Sequence, residues 1–189
     1  MAVHVGTSGW SYKHWKGRFY PQELPVSRWL EHYIQHFHTV EVNNSYYRWP
    51  SDAAFASWHE RLPDSFLMTI KAPQPLTHYK RLSEPEEWID RISHSLSLLG
   101  GKFGIFLVQL SNNFASNHER LAYFLERLPR WVRTSVEFRH PSWDTEETFA
   151  LLERYGTAYC VTSGARLPCI LRATAPFVYV RMHGPDPSF

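Results

Sequence analysis

Glu41, Asn43, Lys71, Gln109, Glu137, Arg139, Arg181 and His183 occupy equivalent places in short apolar runs. Val40 and Val42 alternate with Glu41 and Asn43. Met68 and Ile70 alternate with Thr69 and Lys71, and Val108 precedes Gln109. Val136 and Phe138 alternate with Glu137 and Arg139, and Val178, Val180 and Met182 with Tyr179, Arg181 and His183. In each run one parity is apolar and the other carries charge or amides. A strand with a buried face tolerates charge only where it is paired or used.

Several chemistries fit these residue types. Glu41 and Glu137 could act as general acid and as base or nucleophile, as in glycoside cleavage, with His140 and His183 as proton shuttles. Arg139, Arg181 and Lys71 would then position an anionic ligand, arginine giving the bidentate contact, while Asn43 and Gln109 add neutral hydrogen bonds. The same cations could instead neutralise the carboxylates and leave a structural ion-pair network. Glu41, Glu137, His140 and His183 are also ligand types for a divalent metal, but the neighbouring cations oppose an ion's charge, so no metal is assigned and the cofactor stays open. Trp10, Tyr12, Trp15, Tyr46, Tyr47, Trp49 and Trp143 flank the same runs. They could stack on sugar rings or nucleobases, or simply pack; Tyr46 and Trp143 are the expected ligand contacts.

The elements that must place these residues alternate along the chain. Strand signals occur at HVGTSGW, TVEVNNSYY, FLMTIKAP, FGIFLVQL, RTSVEFRH, TAYCVTSG and FVYVRMHG. Between them apolar residues recur at helical spacing: Leu30, Tyr33, Ile34 and Phe37; Phe55, Trp58 and Leu62; Trp88, Ile89, Ile92, Leu96 and Leu99. Leu121, Phe124, Leu125 and Leu128 follow, then Phe149, Leu152 and Tyr155. Ser83 with Glu86 and Ser116 with Glu119 read as capping boxes, and Asp144 as a cap. Only the connection from Gly164 to Pro176 shows no helical pattern. Strands joined by helical crossovers make a parallel sheet. Apolar residues on one parity and polar residues toward the strand ends on the other fit a TIM-type (β/α)8 barrel, with the polar set gathered at the C-terminal mouth.

The stretches GTSGWSY at 6–12, GRFYP at 17–21, EVNNSYY at 41–47, THYKRL at 77–82, VEFRHPSW at 136–143 and YVRMHG at 179–184 occur in order. Together they resemble the YecE-like family, domain of unknown function 72, over essentially the whole chain. The resemblance implies a TIM-type barrel and no assigned activity. It also implies a further strand and helix past the HG motif. Barrels of this class run to about 250 residues. The expectation is a single domain spanning 1–189, a barrel truncated after its seventh strand.

Composition narrows the partners. The chain of 189 residues has 43% hydrophobic residues and a formal charge of +2, which provides no field for nucleic acid or an anionic membrane. Single-stranded nucleic acid remains only as an alternative to a small anionic or sugar-like ligand. No apolar run reaches the ~18 residues of a membrane span. Cys160 and Cys169 form no metal pattern. With no signal-peptide pattern, the expected location is the cytoplasm. GTSGW lacks the second glycine of a nucleophile elbow, LGGK ends a helix rather than beginning one, and no GxGxxG, phosphate loop or HExxH is present. His32, His36 and His38 lie before the second strand, away from the mouth, and read as a solvated helix end. The expected function is acid–base or hydrolytic chemistry on a small polar or anionic ligand, with a non-catalytic binding module as the alternative.

Overall fold

A computed structural model describes residues 2–164 and 168–184. The chain is an α/β protein with a seven-stranded sheet in the order β1-β2-β3-β4-β5-β6-β7, each strand beside its sequence neighbour as in the (β/α) barrel class. It divides into two compact units, residues 1–71 with 94–104, and residues 72–93 with 105–189.

In the first unit, β1 (Thr7–Ser8), β2 (Thr39–Val42) and β3 (Leu67–Lys71) pair in parallel, with Ser8 opposite Glu41 and Glu41 opposite Thr69. Helix α1 (Trp29–Tyr33) precedes β2, and α2 (Asn44–Tyr47) and α3 (Asp52–Arg61) separate β2 from β3. The helical spacing expected around Tyr33 is explained by its contacts. Its ring stacks on Phe37, and its hydroxyl donates to the Thr39 carbonyl at 3.0 Å and accepts from the Thr7 amide at 3.0 Å. One buried phenol thus ties β1 to β2. A Cβ at Gly6 would fall 2.1 Å from the Thr39 carbonyl oxygen, so only glycine permits that approach. Tyr20 stacks flat on Trp29, centroids 4.4 Å apart, an arrangement stabilising by roughly 0.5–1.5 kcal/mol beyond area burial. Ser51 caps α3 by accepting from the Ala54 amide.

Helix α4 (Glu86–Ser97) and β4 (Phe103–Gln109) each have residues in both units. The second unit contains β5 (Thr134–Glu137), β6 (Ala158–Gly164) and β7 (Tyr179–Gly184), paired in parallel from β4 onward, with α5 (His118–Arg127) and α6 (Glu146–Arg154) in the crossovers. The caps sit slightly later than expected. Asn117, not Ser116, accepts from the Arg120 amide, and Thr145, not Asp144, accepts from the Thr148 amide. The Ile89 amide donates to the Pro85 carbonyl, so the first turn of α4 starts beyond Ser83. Thr145 supplies the extended residue that α6 needs immediately before its first turn. The segment 168–178 forms no helix, as the sequence suggests. After β3, a π-helical turn at Pro75–Tyr79 leads into Arg81, Leu82 and Glu84, all at positive φ. Leu82 is fully buried, and packing offsets the cost of that conformation.

Side-chain parity follows expectation on β5, where Val136 is buried and the ring of Phe138, just past its end, stacks on Trp143 and Tyr159. On β7 it departs: the apolar parity expected to meet a helix is exposed, Met182 at 83%.

Candidate functional site

Glu137 ends β5, in register with Gln109 at the end of β4. The run TSVE is buried on both parities, which forces the carboxylate into the interior, where it must be met by opposite charge. Its side chain is 0% exposed and two guanidiniums reach it. Arg181, from β7, approaches Oε2 with Nη1 at 2.5 Å. Arg139, two residues past Glu137, brings Nη2 against Oε1. Arg181 Nη1 also donates to Gln109 Oε1 at 3.3 Å.

His183 completes the group. Arg139 Nη2 lies 3.2 Å from its Nε2, which stands 3.9 Å from Glu137 Oε1. A guanidinium only donates, so in this contact Nε2 accepts and Nδ1 carries the imidazole proton. Cys160, on β6, places its sulfur 4.0 Å from Glu137 Oε2. Sequence spacing gave no sign of this neighbour.

Two features separate the cluster from a closed ion-pair knot. Among the described residues two guanidiniums, those of Arg139 and Arg181, share the one carboxylate of Glu137. Arg139 Nε is buried without a hydrogen-bond partner, and Glu137 Oε1 touches Arg139 without a properly directed hydrogen bond. Buried polar atoms rarely go unmet unless a ligand, an ion or water meets them. Arg139 and His183 retain 22% and 18% side-chain exposure, so the cluster is reached from solvent at that edge.

Two other expected site residues of the second unit, Trp143 and His140, make contacts of their own. Trp143 is fully buried in the second unit, its indole N–H donating to the Phe114 carbonyl at 2.7 Å. Such a ring has no face left for a ligand. His140 turns its Nδ1 back to accept from the Ser142 amide at 3.2 Å, capping the short turn Pro141–Trp143. That is local backbone work. Glu41, Asn43, Lys71 and Tyr46 all belong to the first unit. Glu41 is 5% exposed and accepts from the Ser8 hydroxyl at 3.1 Å. Lys71 Nζ lies over the Tyr46 ring, 4.8 Å from its centroid.

A second pair in the second unit escaped sequence reading. Burial raises the pKa of Asp144, and a hydrogen bond from the Tyr159 phenol partly offsets the rise. Burial and then Asp144 push the Tyr159 phenol up in turn. Among the described residues, no group of three or more His, Cys, Asp or Glu is gathered to hold a metal ion, and no helix is long and apolar enough to cross a membrane.

Comparison with known proteins places these residues in a wider set. The model of a protein family of unknown function, DUF72, matches residues 4–188. The UPF0759 protein YecE of Escherichia coli is 28% identical over 142 residues, 75% of this chain and 50% of that protein. The UPF0759 protein YunF of Bacillus subtilis is 27% identical over 96% of this chain and 70% of its own length. The chain therefore spans about half of YecE, the first of these relatives. Among solved structures, a DUF72 family protein from Thermotoga maritima superposes with a TM-score of 0.88 at 32% identity, covering 100% of this chain and 76% of that one. A DUF72 family protein from Enterococcus faecalis, 23% identical, superposes with a TM-score of 0.73 over 86% of this chain and 72% of that one and supports the fold alone.

Proposed function

Because the chain belongs to the DUF72 family, whose description carries no activity, we propose from its own chemistry that the Glu137 cluster of the second unit binds a small anionic ligand. The observation that supports this reading is the buried Arg139 Nε–H without an acceptor, on a guanidinium that shares the Glu137 carboxylate with Arg181. An anion supplies the missing acceptor, and arginine's fork suits a phosphate or carboxylate. In this reading Glu137 is a fixed counter-ion. It holds two like-charged groups in one enclosure and leaves Arg139 aimed outward. His183, already in contact with Arg139, is the group placed to exchange a proton with the bound ligand. Acid–base chemistry then runs through the imidazole rather than through a carboxylate whose oxygens face two guanidiniums.

The test is calorimetric titration with inorganic phosphate at constant ionic strength. The parent protein is expected to bind, and Arg139→Ala to lose at least about tenfold in affinity, the worth of one charge-assisted hydrogen bond. Arg139→Lys, which keeps the charge but lacks Nε, should fall between them. No binding by the parent, or equal binding by Arg139→Ala, overturns the assignment.

A further inference from the structure

Two complementary needs stand side by side in the Glu137 cluster. Among the described residues, no acceptor meets the Arg139 Nε proton, and no donor is directed at Glu137 Oε1; both atoms are buried. The two carboxylate oxygens are unequally served. Oε2 accepts from Arg181 Nη1 at 2.5 Å and has the Cys160 sulfur at 4.0 Å. Oε1 has Arg139 Nη2 against it and His183 Nε2 at 3.9 Å, and neither contact is a directed hydrogen bond. Nη2 and Nε belong to one planar guanidinium, so the unmet donor and the unmet acceptor lie within reach of a single small molecule. Ser135 stands two residues before Glu137 on the same strand parity, fully buried, and its Oγ has no partner among the described residues either. Residues 135, 137 and 139 thus each hold a polar atom in need of a partner, and a bound molecule is a usual reason for such atoms.

Water can meet both needs at once, accepting from Arg139 Nε–H and donating to Glu137 Oε1. A ligand that displaces water from such a place keeps its affinity only if it reproduces both bonds. One of its oxygens must accept from Arg139, and a second group must donate to Glu137. Sulfate and a plain carboxylate fail the second condition. They present acceptors alone, and an acceptor turned toward Oε1 leaves two lone-pair groups opposed and desolvated. Resting on the anion reading of this cluster, we propose that its ligand is an oxyanion that keeps a hydrogen-bond donor beside its charge, a protonated phosphate or an α-hydroxy carboxylate. Glu137 then has a second task besides holding the arginines. Its Oε1 rejects anions that only accept, which is discrimination by an unpaired polar group rather than by size. Arg139 attracts any anion, and Glu137 admits the one that can donate.

Calorimetric titration at neutral pH and constant ionic strength tests the proposal with two pairs of probes. Inorganic phosphate keeps at least one proton under these conditions, and sulfate keeps none. Glycolate adds a hydroxyl donor to acetate at the same charge. Phosphate is expected to bind at least about tenfold tighter than sulfate, and glycolate than acetate, the worth of one hydrogen bond to a charged group. Where only one pair binds, its ratio decides and names the carrier of the donor, phosphate or hydroxy acid. Glu137→Gln, whose amide has a nitrogen in place of one oxygen, should remove the preference. Sulfate binding as tightly as phosphate, or acetate as tightly as glycolate, overturns the proposal; if those anions still lose affinity in Arg139→Ala, the anion reading itself stands. A preference that persists undiminished in Glu137→Gln, with its folding confirmed by a melting curve, also overturns it, because Oε1 is then not the acceptor. Should that variant fail to fold, the ratios measured on the parent still decide. Failure of all four probes to bind the parent removes the anion reading and this one together.

Discussion

Replacing Glu137 by alanine tests whether the carboxylate is the counter-ion of the cluster. The substitution removes the group that meets Arg181 Nη1 at 2.5 Å and the nearby Arg139. Arg181 is 9% exposed and keeps its contact with Gln109, a neutral partner. Removing one member of a buried ion pair costs about 3–5 kcal/mol, because the remaining charge is left uncompensated. For a chain of this size each kcal/mol lowers the melting temperature by about 2–4 °C, so the variant should melt roughly 6–20 °C below the parent.

The truncation also leaves a space shaped by the lost methylene and carboxylate, close to the volume of acetate. Acetate should therefore refill it and restore the charge. At a hundred times its dissociation constant a ligand stabilises by about 2.7 kcal/mol, which here corresponds to roughly 5–11 °C of recovered melting temperature. The assay is a melting curve in acetate against chloride at matched ionic strength, for the parent, Glu137→Ala and Glu137→Gln. The glutamine variant keeps the volume filled and should lose stability while gaining far less from acetate than the alanine variant does. The reasoning is refuted if chloride rescues the alanine variant as well as acetate does, or if acetate raises the parent and the glutamine variant by the same amount.

Two further outcomes follow from groups near this cluster. The Asp144 pKa is raised in the folded chain above its ordinary value of 3.8, so its contribution to stability is present below that value and is lost as pH rises through the raised one. Asp144→Asn should accordingly match the parent near pH 3.8 and melt above it at pH 7, by at most about 2 °C given solvent screening of a partly exposed group; thermal melts across that range measure it. Trp143→Phe should leave the Phe114 carbonyl without its donor and cost about 1–3 kcal/mol, or about 2–12 °C of melting temperature, while phosphate affinity stays at the parent's value. A change in affinity without loss of stability would return Trp143 to the site.

The polar parity of β2, β5 and β7 was legible because alternation has period two, and charge inside an apolar run stands out against it. Parity alone brought Glu137, Arg139, Arg181, Gln109 and His183 forward, and they do converge. His140 and Trp143 came forward by position alone, past the end of β5 (Thr134–Glu137). Beyond Arg139 a turn decides where each side chain points. There His140 Nδ1 caps the turn and Trp143 swings into the core. Cys160 and the Asp144–Tyr159 pair were not readable for a different reason. Their partners lie on neighbouring elements, and register across strands is fixed by packing that one sequence does not display. Ser8 belongs to the same class, since only the β1–β2 register sets it opposite Glu41.

The two polar groups explain why a formal charge of +2 says little about ligands here. Net charge averages over the surface, whereas a ligand meets a local balance. In the Glu137 cluster one carboxylate holds two arginines, and a strand-end glutamate is what permits a second guanidinium to be buried at all. Without it the two cations would repel in a poorly solvated space, and one of them would turn to water. With it, the cost of burial is met, while Arg139 Nε stays without an acceptor. In the first unit Asn43 has a buried amide oxygen without a hydrogen-bond partner. The charged residue in an apolar strand therefore has different surroundings in the two places: Glu137 meets two guanidiniums, whereas Glu41 accepts from the Ser8 hydroxyl.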